Sequence, residues 1–172
     1  MRTAAILLGL AVALALQTVL SGFLIGGTIR VNLVLVAVIY LALSYGPVSG
    51  LLAGMAGGLA QDALAGGIVG VGGLSKTLVG FVVGVMGAQF IVSQMVPRFI
   101  MFVAATMVHE VVFEGLYALT AGRPFAPQYS AALIQAMVNG VIGVLAFWIV
   151  ENGPNILARR SARRAAFSKR RF

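Results

Sequence analysis

Charge is almost absent from long stretches of this chain, and that scarcity limits its fold more than any other feature. No Asp, Glu, Lys or Arg stands between Arg2 and Arg30, between Arg30 and Asp62, or between Arg123 and Glu151. A soluble domain carries about a quarter of its residues as charged ones; here the share is 9%, against 60% apolar. So little polarity cannot cover a globule in water, whereas a bundle whose outer face meets lipid needs none. The sequence therefore predicts an all-α integral membrane protein.

About 20 mostly apolar residues cross a bilayer, and the natural breaks leave six such segments: 3–21, 29–45, 48–65, 74–92, 99–120 and 130–150. The breaks are Gly46-Pro47, the glycine-rich stretch 66–73, Pro97-Arg98, and the loop 123–128 with its two prolines. This predicts a six-helix transmembrane domain over residues 1–156 and a basic tail over 157–172. Arg2 and the small-residue triplets beyond it also fit the start of a secretory signal peptide. The residues after them, however, form further apolar spans rather than a soluble domain.

Six spans put both ends on one side of the membrane. With the N-terminus inside, the inner segments hold Arg2, Arg98 and the tail residues Arg159, Arg160, Arg163, Arg164, Lys169, Arg170 and Arg171, against Arg30, Lys76 and Arg123 outside. Positive charge favours the cytoplasm, so both termini are expected there. The net charge of +8 is thus mostly a tail property and no sign of nucleic-acid binding. The tail reads as a topology anchor drawn to anionic lipid, each basic residue near the surface contributing about 1 kcal/mol; docking of a cytoplasmic partner is the sharper alternative. With no cysteine in the chain, disulfides, thiolate metal sites and thiol nucleophiles are all excluded.

Gly46, Gly50, Gly54, Gly58, Asp62, Gly66 and Gly70 recur at every fourth position. Each step of four drifts about 40° around a helix, so Gly50, Gly54 and Gly58 form a groove with Asp62 at its edge. Small residues at this spacing let helix backbones approach closely in lipid. Gly80, Gly84 and Ala88 repeat the pattern in the fourth segment. The groove is expected to pack helices within one bundle; receiving the helix of another protein, or of a second copy, is the alternative. The spacing is helical and Lys76 lacks the Gly-x4-Gly-Lys context, so no phosphate loop is read here.

Asp62, Lys76, His109, Glu110 and Glu114 fall within or at the edge of apolar segments, where a charge costs about 2.5 to 3.5 kcal/mol at the centre. All require partners, and the expected orientation puts Asp62, Lys76 and Glu114 in the outer half. Asp62 and Lys76 either pair or stay apart, with Asp62 reaching water and Lys76 snorkelling to the headgroups. Glu110 and Glu114 share a helix face, and Gln135 and Asn139 can supply neutral hydrogen bonds to an interhelical cluster around an outward-facing cavity. His-Glu-Val-Val-Phe-Glu lacks the second His of a zinc-protease motif. No nucleophilic triad can be assembled, so neither catalysis nor a cofactor or metal is expected.

The stretch 46–87, with its Gly-Pro break, a glycine ladder leading into Asp62, glycine-rich residues and a further span, resembles the central segment of the MreD family of rod shape-determining proteins. Where that family often has Pro before an Asp or Asn at the start of the second span, this chain has Val31 before Asn32. The resemblance implies a non-enzymatic component of the cell-wall elongation machinery in the bacterial inner membrane. It would act beside MreC, the elongation transglycosylase and transpeptidase, and the MreB filament. It also implies a fold like the substrate-binding S-components of energy-coupling-factor transporters. A true S-component, capturing a small molecule in an outer pocket, is the rival reading.

Overall fold

A computed structural model describes residues 2–23, 31–90, 92 and 94–168, with side chains for 6–19, 31–90, 92 and 94–153. Among the described residues six helices succeed one another: α1 (Arg2–Phe23), α2 (Leu33–Tyr45), α3 (Pro47–Ala65), α4 (Val71–Gln89), α5 (Met95–Ala121) and α6 (Tyr129–Ser168). No strand occurs among the described residues.

Short connections make consecutive helices antiparallel. The tightest is Gly46 alone, between α2 and α3. Its φ of 89° suits glycine best, and Pro47 opens α3, where a missing N–H costs nothing. The alternation gathers the C-terminal ends of α1, α3 and α5 with the N-terminal ends of α2, α4 and α6 at one pole, the polar end. At the other pole Arg98 holds Glu151 through two nitrogens at 2.9 and 2.5 Å and donates from Nε to the Val92 carbonyl. Its guanidinium lies 4.3 Å over the Phe147 ring, fastening the start of α5 to α6.

α2 is the central strut, in contact with all five other helices. Val34, Leu35, Val36, Val38, Ile39, Leu41 and Ala42 are buried on it, as befits a helix apolar all round. Leu35, Ile39, Val79, Val83, Phe102 and Phe147 form the main core where α2, α4, α5 and α6 meet. Elsewhere burial is inverted relative to a soluble protein. Asp62, Ser75, Lys76, Thr106, His109, Gln135 and Asn139 are buried, while Leu8, Leu78, Phe81, Leu133, Leu145 and Trp148 are exposed.

Three helices are long and apolar enough to cross a membrane: Val71–Gln89, Met95–Ala121 and the Tyr129–Gly153 part of α6. The six expected segments each contain a helix, but they differ in length. α2 has 13 residues, about 20 Å, less than the roughly 30 Å hydrocarbon core. Its N-terminus stops within the bundle, whereas residues 29 and 30 of the expected segment lie outside the described set. α3 has the length, at 19 residues, but Gly50, Gly54, Gly57 and Gly58 dilute its apolarity. The expected boundary at 156/157 coincides with no break, because α6 runs on to Ser168 as one helix.

Candidate functional site

The polar end begins as a solution to a backbone problem. A buried helix N-terminus leaves its first amides without partners, and lipid offers no water to satisfy them. For α4 the answer is Asp62, whose Oδ2 accepts from the amides of Gly70 at 2.9 Å, Gly72 at 2.9 Å and Gly73 at 3.1 Å. The negative carboxylate also faces the positive end of the helix dipole. A Cβ at Gly72 would collide with Asp62 Oδ1, so glycine there is what admits the carboxylate.

For α2 its own N-cap residue and two other helices contribute. Asn32 Oδ1 accepts from the Leu35 amide at 3.0 Å, Gln17 Oε1 of α1 from the Leu33 amide at 2.7 Å, and Asn139 Oδ1 of α6 from the Asn32 amide at 3.2 Å. Asn139 in turn donates to Thr106 Oγ1 at 3.5 Å.

Asp62 therefore binds backbone amides, and Lys76 is not its ion-pair partner: no carboxylate lies within 4.0 Å of Lys76 among the described residues. Nor does either group behave as an exposed residue. Asp62 is 8% exposed and Lys76 only 2%, which overturns both the water-reaching carboxylate and the snorkelling lysine. The reason is local: Asp62 lies one turn before the end of α3, so the returning α4 brings three amides to it before any side chain. Lys76 instead sits buried inside the bundle.

Beyond the caps, α5 and α6 enclose a cavity of about 450 Å³ at the polar end, lined among others by Glu110, Glu114, Arg123, Tyr129 and Gln135 and walled by Pro124 and Pro127 of the connecting loop. Glu110 Oε1 receives Gln135 Nε2 at 2.7 Å and faces His109 Nδ1 at 3.1 Å. With a carboxylate as acceptor, the Nδ1–H tautomer is assigned to a neutral His109. Its Nε2 is buried without a partner. Glu114 is held by Arg123, whose Nη2 lies 3.1 and 3.2 Å from its two oxygens and whose guanidinium stacks 4.4 Å over the Tyr117 ring. Glu114 is thus the partner of Arg123.

The helical rungs Gly50, Gly54 and Gly58 of the glycine ladder face α4. A Cβ on Gly50 would strike the Gly80 carbonyl, one on Gly54 the Lys76 carbonyl and the Thr77 amide, and one on Gly58 the Gly72 carbonyl at 2.6 Å. Gly84 packs in the same way on Pro47 and Gly46. Gly57 points elsewhere, toward Leu10 and Val34 at 3.0 Å.

Of the basic tail, Arg159, Arg160, Arg163 and Arg164 fall in α6 with side chains outside the described set, and Lys169, Arg170 and Arg171 lie outside the described residues altogether. Sequence reasoning passed over Gln17, Asn32 and Thr106 as partners in the polar layer, Arg123 as the partner of Glu114, and Glu151 as that of Arg98. Asn32 carried a readable signal, an N-cap residue immediately before an apolar run; the others become neighbours only once helices pack or a loop folds back. Comparison of the chain with family profiles, with curated proteins and with solved structures finds no match.

Proposed function

We propose that the chain is an integral protein of the bacterial inner membrane, related to MreD, that serves as a non-enzymatic component of the cell-wall elongation machinery. In this reading it crosses the membrane six times, keeps both termini in the cytoplasm, and acts with MreC beside the elongation transglycosylase and transpeptidase and MreB. The observation that carries it is the α3–α4 hairpin. The segment that resembles MreD is built as one unit, glycine against backbone from Gly50 to Gly84, with Asp62 closing its polar end. The inverted burial supports membrane insertion, because apolar side chains face outward while buried polar groups satisfy helix ends.

A second reading, a substrate-binding subunit with an S-component-like fold, is favoured by one observation: the cavity between α5 and α6 falls in the size range of small-molecule sites, about 300 to 1,000 Å³. Removal of the protein from a rod-shaped host is expected to give round cells, and the tagged protein is expected to copurify with MreC. Retained rod shape, lost uptake of a vitamin and copurification with an ATPase module would transfer the case to the second reading. Orientation is open to a separate test, since the chain contains no cysteine. Single cysteines at Gly67 and Gly122 should react with an impermeant thiol reagent in cells whose inner membrane is accessible from outside, and one at Ser168 should not.

A further inference from the structure

Two buried polar groups lack partners among the described residues, and their needs are complementary. Lys76 of α4 is 2% exposed and makes no hydrogen bond or ion pair there. Its ammonium donates and cannot accept. His109 of α5 is also 2% exposed. Its Nδ1 faces Glu110 Oε1 at 3.1 Å, which leaves Nε2 as an acceptor, buried and without a donor. A lone ammonium and a lone ring nitrogen are each costly inside a membrane bundle. We propose that one buried water joins them, accepting from Lys76 Nζ and donating to His109 Nε2. A continuous hydrogen-bonded line then runs from Lys76 to Glu110.

Helix register brings the two side chains together. Lys76, Val79 and Val83 stand at i, i+3 and i+7, on one stripe of α4, and Phe102, Ala105 and His109 have the same spacing on α5. Val79 and Val83 share a core cluster with Phe102 and Ala105. Because the helices are antiparallel, the next turn toward the polar end carries Lys76 on α4 and His109 on α5. Side chains lean toward the N-terminus of their own helix, which tips Lys76 toward the polar end and His109 away from it, so the two converge. Thr106, fully buried and one turn from His109, accepts from Asn139 and keeps its own hydroxyl proton for the same water. A buried water typically has about three such partners.

The far end of the line sets its direction. Glu110 Oε1 also accepts from Gln135, so the carboxylate only accepts, and every proton along the line points from the ammonium toward it. Asp62 is the rival partner for Lys76. Its Oδ2 already receives three backbone amides, it stands more than 4.0 Å from the ammonium, and pairing there would leave His109 Nε2 unsatisfied. The bridge also fills a gap in the architecture. Among the described residues no hydrogen bond or ion pair ties α3 or α4 to α5 or α6. The water fastens Lys76 of the first hairpin to the Glu110–Gln135 contact of the second, and His109 is the positioning residue between them.

His109 is the only histidine in the chain, so nitrogen-15 labelling of histidine in the full-length protein, held in nanodiscs at neutral pH, reports a single ring by NMR. The expected spectrum has Nδ1 protonated and Nε2 unprotonated, with Nε2 displaced from the position of an unbonded ring nitrogen and in contact with a slowly exchanging water proton. Lys76→Met should move Nε2 back toward the unbonded position, abolish the water contact and leave Nδ1 unchanged. Lys76→Arg restores a donor and should restore the Nε2 displacement. If Lys76→Met does not fold, the unmutated protein decides alone: labelled lysine and histidine should place Nζ and Nε2 about 5–6 Å apart, two hydrogen-bond lengths. A protonated Nε2, an undisplaced Nε2 signal, or a displacement that survives Lys76→Met overturns the bridge. So does a separation of about 3 Å, a single hydrogen-bond length, or one well beyond two. Cell shape and MreC copurification are separate readouts, so the bridge and the elongation-machinery reading can fail independently.

Discussion

The α3–α4 and α5–α6 hairpins both turn at the polar end, yet they are held together in opposite ways. In α3–α4 backbone lies on backbone: Gly50 meets Gly80, Gly54 meets Lys76 and Thr77, and Gly58 meets Gly72 and Gly73. In α5–α6 side chains fill the gap. The Phe99 ring sits where a Cβ on Gly140 would go, and the Phe102 ring where one on Gly143 would go, while Gln135 reaches across to Glu110. Backbone contact gives a rigid interface with no interior space. Side-chain contact sets the helices further apart and leaves a cavity where the large residues stop. A hairpin closed by glycine suits a scaffold; one spaced by side chains can hold a ligand.

The sharpest way to break this comparison is to put bulk into the first hairpin. Gly54→Leu or Gly58→Leu would drive a side chain into backbone that cannot rotate away, and a cost above about 3 kcal/mol is expected, beyond that of ordinary overpacking. No folded, monodisperse protein should be recovered in detergent, whereas Leu51→Ala should purify normally. Recovery of both leucine variants in folded form would mean that the two backbones do not touch.

Next in size is the cap on α4. Asp62→Leu leaves buried amides without an acceptor and should cost about 3 kcal/mol in unfolding free energy. Asp62→Asn keeps an oxygen acceptor and should cost about 1 kcal/mol. The contrast is diagnostic, because an ion pair with Lys76 would make asparagine nearly as damaging as leucine.

In the second hairpin the expected effects are smaller, since side chains can move. Gly143→Ala presses on the buried Phe102 ring and should lower stability by about 1–2 kcal/mol. A loss as large as that of Gly54→Leu would show that this interface is as unyielding as the first. Smallest of all, Arg123→Gln removes an ion pair whose arginine is 49% exposed, and a change below about 1 kcal/mol is expected. A larger loss would make the loop over the cavity a structural clamp.

The sequence made the glycine face legible, since spacing by four fixes which residues share one side of a helix whatever the helix packs against. Asp62 was legible as a polar residue in need of a partner, but the identity of that partner was not. Read along the chain, Lys76 is the obvious counter-charge, and nothing in the order of residues shows that Gly70, Gly72 and Gly73 turn their amides back toward α3. The connections 66–70 and 122–128 were legible as turns from Gly and Pro. That Arg123 folds back over Tyr117 onto Glu114 was not.

Local periodicity and the cost of polarity let the sequence alone determine four things: helices throughout, antiparallel neighbours joined by short turns, a glycine groove on α3, and polar side chains that must find partners. Only the tertiary structure decided who those partners are, that α2 is the short central strut, and that a cavity opens beside α5 and α6. Periodicity orders the residues around one helix axis and says nothing of the next. A buried polar group is satisfied by whichever donor or acceptor packing brings within about 3 Å, and that distance is set by the contacts of all six helices together.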